Sequence, residues 1–269
     1  MVTFLFWNLK GKRLEAMVAA FANQHDVDVV ILAENQADSS AVLSALNNQA
    51  PSYFYVPAPG CERIQIFTRF SDQLFPPLAE STWWSIRRLE LPGLDPVLVA
   101  AVHLLSKLRN QPSDQLYAAR QLSEEIRRVE RDEGHARTVV VGDLNLDPFD
   151  EGLVSADALH AVSSRRVAAR RERIVQSMRH PFFYNPMWNY LGDARPGPPG
   201  TYYYGSGLVA HFWHAFDQVL VRPDLVSRFD AGSVSILEND GTRSLLRKNG
   251  TPDDSRFSDH LPLVFRLSL

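Results

Sequence analysis

Val27-Asp28-Val29-Val30-Ile31-Leu32-Ala33-Glu34 is an almost unbroken apolar run that stops on an acid. A strand with one solvated face alternates apolar and polar residues, so this run predicts a strand covered on both faces, inside a layered sheet core. Glu34 then stands at the strand end, where a rigid scaffold presents side chains to a cleft. The flanking chain fits that frame. Val2-Thr3-Phe4-Leu5-Phe6-Trp7 predicts a second buried strand, ending at Asn8. Between the two, Leu14, Met17, Val18 and Phe21 recur at three and four, the period of an amphipathic helix over residues 13–21.

Further along, a helix is expected at 40–47 and strands at 52–56, 63–68, 82–91 and 97–103. A long helix follows over 113–133, with Ser113 as its start signal and no reciprocal acid. Arg137 to Val141 forms another buried strand that runs into Gly142-Asp143-Leu144-Asn145. Later strands are expected at 201–204, 215–221, 234–237 and 261–267. Strands outnumber helices and many follow one another directly, which predicts hairpins and extensive sheet with outer helices rather than strict strand–helix alternation. The turn-rich Pro196-Gly197-Pro198-Pro199-Gly200 is too short for a domain linker, so residues 1–269 are expected to form one domain.

At 269 residues and 45% apolar content, the chain can bury one substantial core. Its 28 Lys and Arg against 31 Asp and Glu give no global basic field, so any polyanion must be met locally. The single Cys61 excludes an intrachain disulfide and suits a reducing compartment. Val2 to Trp7 is too short for a signal sequence or a membrane span, and the expected location is cytoplasmic.

The polar residues at the ends of the apolar strands form a coherent set: Asn8, Glu34, His103, Asp143, Asn145, Asp217, Asp259 and His260. Asp143-Leu144-Asn145 by itself also reads as an Asx turn. An ordered series of acids and histidines at strand ends is not explained by turn chemistry. Phosphate-ester hydrolysis needs carboxylates for a hard divalent cation, a base or oriented water, and donors for the non-bridging oxygens. This set supplies each kind.

Phe6-Trp7-Asn8, Leu32-Ala33-Glu34, Val102-His103-Leu104, Gly142-Asp143-Leu144-Asn145, Phe216-Asp217-Gln218-Val219 and Ser258-Asp259-His260-Leu261-Pro262 resemble, in order, the motifs of the endonuclease/exonuclease/phosphatase family. The resemblance implies an α/β (α+β) fold, a four-layer α-β-β-α sandwich of two packed mixed sheets with outer helices. It also implies a metal-dependent phosphodiesterase, with Mg2+ as the expected ion and Mn2+ as its alternative. On the matching positions, Glu34, Asn8 and Asp259 resemble the metal-site residues, and Asp143 with Asn145 the pair that orients water and phosphate. His260, its tautomer fixed by Asp217, and His103 resemble the phosphate-facing histidines. In DNase I-like members the second histidine has its own acid, for which Glu62 in Cys61-Glu62-Arg63-Ile64 is the candidate here. The resemblance gives mechanism better than substrate: a nucleic acid is the first choice and a small-molecule or lipid-head phosphoester the alternative; a silent binding module ranks third.

Arg165, Arg166, Arg170, Arg171 and Arg173 carry the densest positive charge in the chain and lie in an Arg- and aromatic-rich insertion at about 160–200. Arginine recognises phosphates through several planar donors, so these five are candidates for gripping a substrate backbone beside the cleft. A solvated helical face accounts for them equally well. Trp213 and Tyr202 to Tyr204 flank the approach to Asp217 as stacking candidates, and His214 as a candidate for substrate contact. The other tryptophans, and His25, His135, His160, His180 and His211, are expected to pack or face solvent.

Overall fold

The computed structural model describes residues 1–48, 52–208 and 210–269. Two mixed sheets carry the fold. In the first, the strand order is Ser235–Ile236, Leu263–Leu267, Val2–Asn8, Val29–Ala33, Ile64–Thr68, Phe54–Val56. In the second it is Pro77–Ser81, Trp84–Leu89, Val97–His103, Thr138–Asp143, Asp217–Val221, Phe183–Tyr184, Ala161–Val162.

The near-continuous apolar runs are explained by burial on both faces. Val97, Val99 and Ala101 join Val139, Val141, Val219 and Val221 in the core shared with Phe4, Phe6 and Ile31 of the first sheet. Their alternates Leu98, Ala100, Val102, Val140 and Leu220 pack outward with Leu122, Ile126 and Val129 of the helix Pro112–Glu133. On the first sheet, Met17, Val18 and Phe21 of the helix Glu15–Gln24 and Val42 of the helix Ser39–Leu46 close the other side. The result is the helix–sheet–sheet–helix layering of the DNase I-like fold.

Two local outcomes differ from the sequence reading. The long helix starts one residue earlier than expected, after Gln111 with Pro112 in its first turn, and Asp114 accepts the Gln111 backbone N–H at 2.9 Å. A reciprocal acid therefore exists, one place beyond the serine. The arginine-rich stretch is not a helical face either: only Arg165–Ala168 makes a turn of helix, and Glu172–Val175 pairs with Met178–Pro181 as a hairpin.

Candidate active site

Strand direction assembles the site. Val2–Asn8 runs parallel to Val29–Ala33, with Asn8 opposite Ala33, so Asn8 and Glu34 emerge at the same sheet end. Val97–His103 runs parallel to Thr138–Asp143, with His103 opposite Asp143. Asp217, at the start of its antiparallel strand, faces Asp143 from the other side. Asp143 thus has His103 and Asp217 as its two lateral neighbours. Gly142 permits that arrangement: at φ 151° a Cβ there would lie 1.9 Å from the Val102 carbonyl oxygen, and no side chain fits such an approach.

The sheets are joined at this point by polar contacts. Asn8 donates from Nδ2 to Asp143 Oδ2 at 2.9 Å, and Asp143 Oδ1 accepts the Asn145 backbone N–H at 2.8 Å. Asn145, with φ 51°, is anchored through Nδ2 to the Leu104 carbonyl at 3.1 Å. Asp143 Oδ2 then stands 3.8 Å from His103 Nε2 and 3.9 Å from His260 Nε2. Two imidazoles and a carboxylate converge there.

His260 is held on every side. Its Nδ1 lies 2.8 Å from Asp217 Oδ2, its carbonyl accepts from Trp7 Nε1 at 2.8 Å, and its backbone N–H donates to Ser258 Oγ at 3.1 Å. The ring of Tyr202 tilts against it at 4.9 Å. Burial alone would lower the His260 pKa, but the carboxylates of Asp217 and Asp143 outweigh it and raise the value to about 10. Burial also raises Asp217, against the pull of the imidazole. The pair is held together by the contact of the imidazole Nδ1 with Asp217 Oδ2.

Glu34, also in a left-handed backbone conformation at φ 49°, is the half-exposed acid of the group. Its Oε1 lies 3.2 Å from His103 Nε2, and that hydrogen bond, against the opposing effect of burial, holds its carboxyl below the usual range. His103 Nδ1 is buried without a hydrogen-bond partner among the described residues. Glu62, the expected acid for that nitrogen, is exposed and makes no ion pair or hydrogen bond among them. The Cys61–Arg63 turn projects it into solvent, so it does not serve His103. Asp259 reaches the cavity, but Lys10 Nζ engages its Oδ2 at 2.7 Å and its Oδ1 is buried unpartnered.

The five arginines stand away from the cleft. Arg165 donates to the carbonyls of Val226 and Phe229, and Arg171 pairs with Asp224. Both anchors lie beyond Val221, at the far end of the strand that begins with Asp217, roughly 13 Å away at the usual strand rise. None of the five lines the cavity.

The cavity, about 1080 Å³, is lined by all the strand-end residues except Asp217, which lies buried behind His260. It contains a second histidine–aspartate pair, of which only His214 was a sequence candidate. Asp147 is buried, and its Oδ2 lies 2.8 Å from His214 Nδ1 and 3.0 Å from Lys107 Nζ. The one available signal was the spacing Asp143-x-Asn145-x-Asp147, which continues the alternation that delivers Asp143 and Asn145.

The oxygen donors suit a hard divalent cation. Asp143, Asp217 and His260 each offer an atom within 4.8 Å of one another, but Asp217 and His260 are spent on their mutual hydrogen bond. The half-exposed Glu34 carboxylate lines the same cavity as Asn8 and Asp259, whose Oδ1 has no partner among the described residues.

Two packed mixed sheets with outer helices, carrying a cluster of acids and histidines at their strand ends, define a protein of the DNase I-like fold class. The chain belongs to the endonuclease/exonuclease/phosphatase family, whose model matches residues 5–260. Members of that family hydrolyse phosphoester bonds and are generally dependent on divalent metals. Among solved structures it is similar to a truncated Caenorhabditis elegans TDP2, with TM-score 0.59 and 16% identity over 98% of this chain and 97% of that one. It is also similar to the Bacteroides thetaiotaomicron mannosyl-6-phosphatase Bt3783, with TM-score 0.58 and 14% identity over 100% of both. A third likeness is to the endonuclease domain of TRAS1, a telomere-specific non-LTR retrotransposon, with TM-score 0.54 and 13% identity over 100% and 99%. At these identities the likeness is one of fold. No curated protein matches the chain. Among the described residues no helix is long and apolar enough to cross a membrane.

Proposed function

We propose that the chain is a divalent-metal-dependent phosphodiesterase whose substrate is a nucleic acid. The observation that carries the reading is Asp143 Oδ2 facing the Nε2 atoms of His103 and His260 at 3.8 and 3.9 Å, with Glu34 at the same cavity. A phosphoryl group lying between the imidazoles meets donors on both sides. Asp143 and Asn145 orient the attacking water, Asp143 taking its proton as the ester P–O bond opposite breaks and the departing oxygen takes up a proton from solvent. His103 and His260 donate from Nε2 to the non-bridging oxygens, where charge grows in the transition state. Asp217 keeps the His260 ring oriented and its Nδ1 occupied, so that Nε2 is the atom presented. Mg2+, or Mn2+ in its stead, would be held by Glu34 with Asn8 and Asp259 nearby, and would supply Lewis-acid neutralisation of a phosphoryl oxygen.

A nucleotide-bearing ester is supported by the cavity wall, where cations and flat rings alternate. Arg63 lies over the Trp83 ring at 4.3 Å, and Phe149, Tyr204 and Arg109 line the same space. Bases stack on such faces without sequence preference. A small-molecule phosphoester is the second reading, favoured by the arginine segment standing away from the cleft. Assay of single- and double-stranded DNA, RNA and a panel of phosphomonoesters, with Mg2+ and with chelator, separates the readings. Turnover confined to phosphomonoesters would exclude the nuclease.

A further inference from the structure

His214 and Lys107 have no part in the chemistry above, yet both line the cavity and are wired to a buried acid. Asp147 accepts three donors: His214 Nδ1 at 2.8 Å, Lys107 Nζ at 3.0 Å and the Ala215 backbone N–H at 3.2 Å. Its side chain is 3% exposed, whereas that of Lys107 is 33% exposed and that of His214 is 16% exposed. Asp147 touches the cavity wall but is the least exposed of the three, so the donors stand further into the cleft than the carboxylate that holds them. Lys107 also touches Asp150 at 2.5 Å. Two residues further along the same loop, Arg109 is exposed, lines the cavity and makes no ion pair among the described residues.

The position relative to the catalytic histidine is fixed by aromatic packing. Tyr202 lies 4.9 Å from the His260 ring and 6.2 Å from the His214 ring, and Phe216 stacks on His214 at 4.7 Å and on Tyr202 at 5.2 Å. The two imidazoles are one ring apart on one wall. A scissile phosphate at His260 leaves His214 to meet the next group of the same substrate.

We propose that Lys107, Arg109 and His214, backed by Asp147, form a second phosphate subsite beside the scissile phosphate. The enzyme then selects substrates that carry a second phosphate next to the one attacked. This rests on the hydrolase reading, which puts the scissile phosphate at His260. The second phosphate has two sources, the neighbouring link of a nucleic acid or a second ester on a small sugar. Arginine and lysine supply the charge; His214, its Nδ1 held by an acid, presents Nε2 at a fixed angle.

The test is calorimetric binding of two ligand pairs in Mg2+, adenosine 3′,5′-bisphosphate against adenosine 5′-monophosphate and glucose 1,6-bisphosphate against glucose 6-phosphate. Wild-type protein is expected to favour the bisphosphate by about tenfold or more in the pair that matches its substrate, a margin worth ~1.4 kcal/mol. Lys107→Met, His214→Gln and Asp147→Asn should each shrink that preference severalfold. Lys107→Met keeps the test open if the buried Asp147 variant fails to fold. Equal affinity for mono- and bisphosphate in wild type, or an undiminished preference in Lys107→Met and His214→Gln, overturns the subsite. Wild-type hydrolysis of bis(p-nitrophenyl) phosphate is measured alongside. Hydrolysis without bisphosphate preference defeats the subsite alone, and preference without hydrolysis defeats the catalytic reading while the subsite stands.

Discussion

Asp217 is wholly buried and holds His260 through Nδ1 at 2.8 Å, while the opposite edge of the same imidazole faces Asp143. A carboxylate with no exposure and one dominant partner has a positioning task. Asp217→Asn preserves shape but can offer an amide N–H where an acceptor is needed, which turns the ring or changes its tautomer. Turnover is expected to fall by about 10²-fold or more, the scale of an acid–base contribution. The check is kcat on a phosphodiester with the fold verified by circular dichroism. Activity within a few-fold of wild type would mean that the pair is structural.

Arg222 and Glu130 form the most buried ion pair outside the site. Nε lies 2.8 Å from Oε1 and a terminal nitrogen 3.1 Å from Oε2, Thr138 Oγ1 adds a third contact at 2.6 Å, and the guanidinium lies 3.8 Å over the Phe183 ring. Removing one partner leaves the other charge buried and unpaired, which typically costs about 3–5 kcal/mol. Arg222→Met is therefore expected to lower the denaturant midpoint sharply. A midpoint shift worth under about 1 kcal/mol would show that water reaches and compensates Glu130.

His160 supplies a pH signature remote from the chemistry. It is buried against Phe182 at 4.3 Å, and burial lowers its pKa from 6.5 to about 4. Above pH 6.5 it is neutral in both folded and unfolded chains and stability is unaffected. As pH falls from 6.5 to about 4, the unfolded chain takes up a proton that the folded chain refuses, so stability is lost through that window. His160→Gln should flatten the decline relative to wild type. Parallel unfolding curves for the two proteins across pH 4 to 6.5 would contradict the assignment.

Much of this architecture is legible before any coordinates. The runs at Val29–Ala33 and Thr138–Asp143 lack alternation because both sheet faces are covered, and a buried strand must end on its first tolerated polar residue. That is why Glu34 and Asp143 can be placed at strand ends from sequence. What escaped has no such signal. The hairpin at Glu172–Val175 and Met178–Pro181 is largely exposed, with Ile174 and Met178 in solvent, so no burial period marks it as sheet. Charge density there suggested a substrate grip, but density does not say which way a segment faces. Asp147 was missed because Lys107 and His214, its partners, lie 40 and 67 residues away in sequence. Glu62 failed for a related reason: a short motif fixes its neighbours in the chain, and the turn at Cys61–Arg63 decides the direction of the side chain.

The most direct measurement is the divalent-metal dependence of phosphodiester cleavage by wild type and Glu34→Gln, followed on labelled single-stranded DNA and RNA across a Mg2+ titration. Glu34 is the half-exposed carboxylate at the cavity, and neutralising it removes the charge that a hard cation needs. The expected result is cleavage by wild type that excess chelator abolishes and added Mg2+ restores, with Glu34→Gln slower by at least about tenfold and needing more metal. Wild-type turnover that persists unchanged in excess chelator would contradict the metal-dependent reading at its centre.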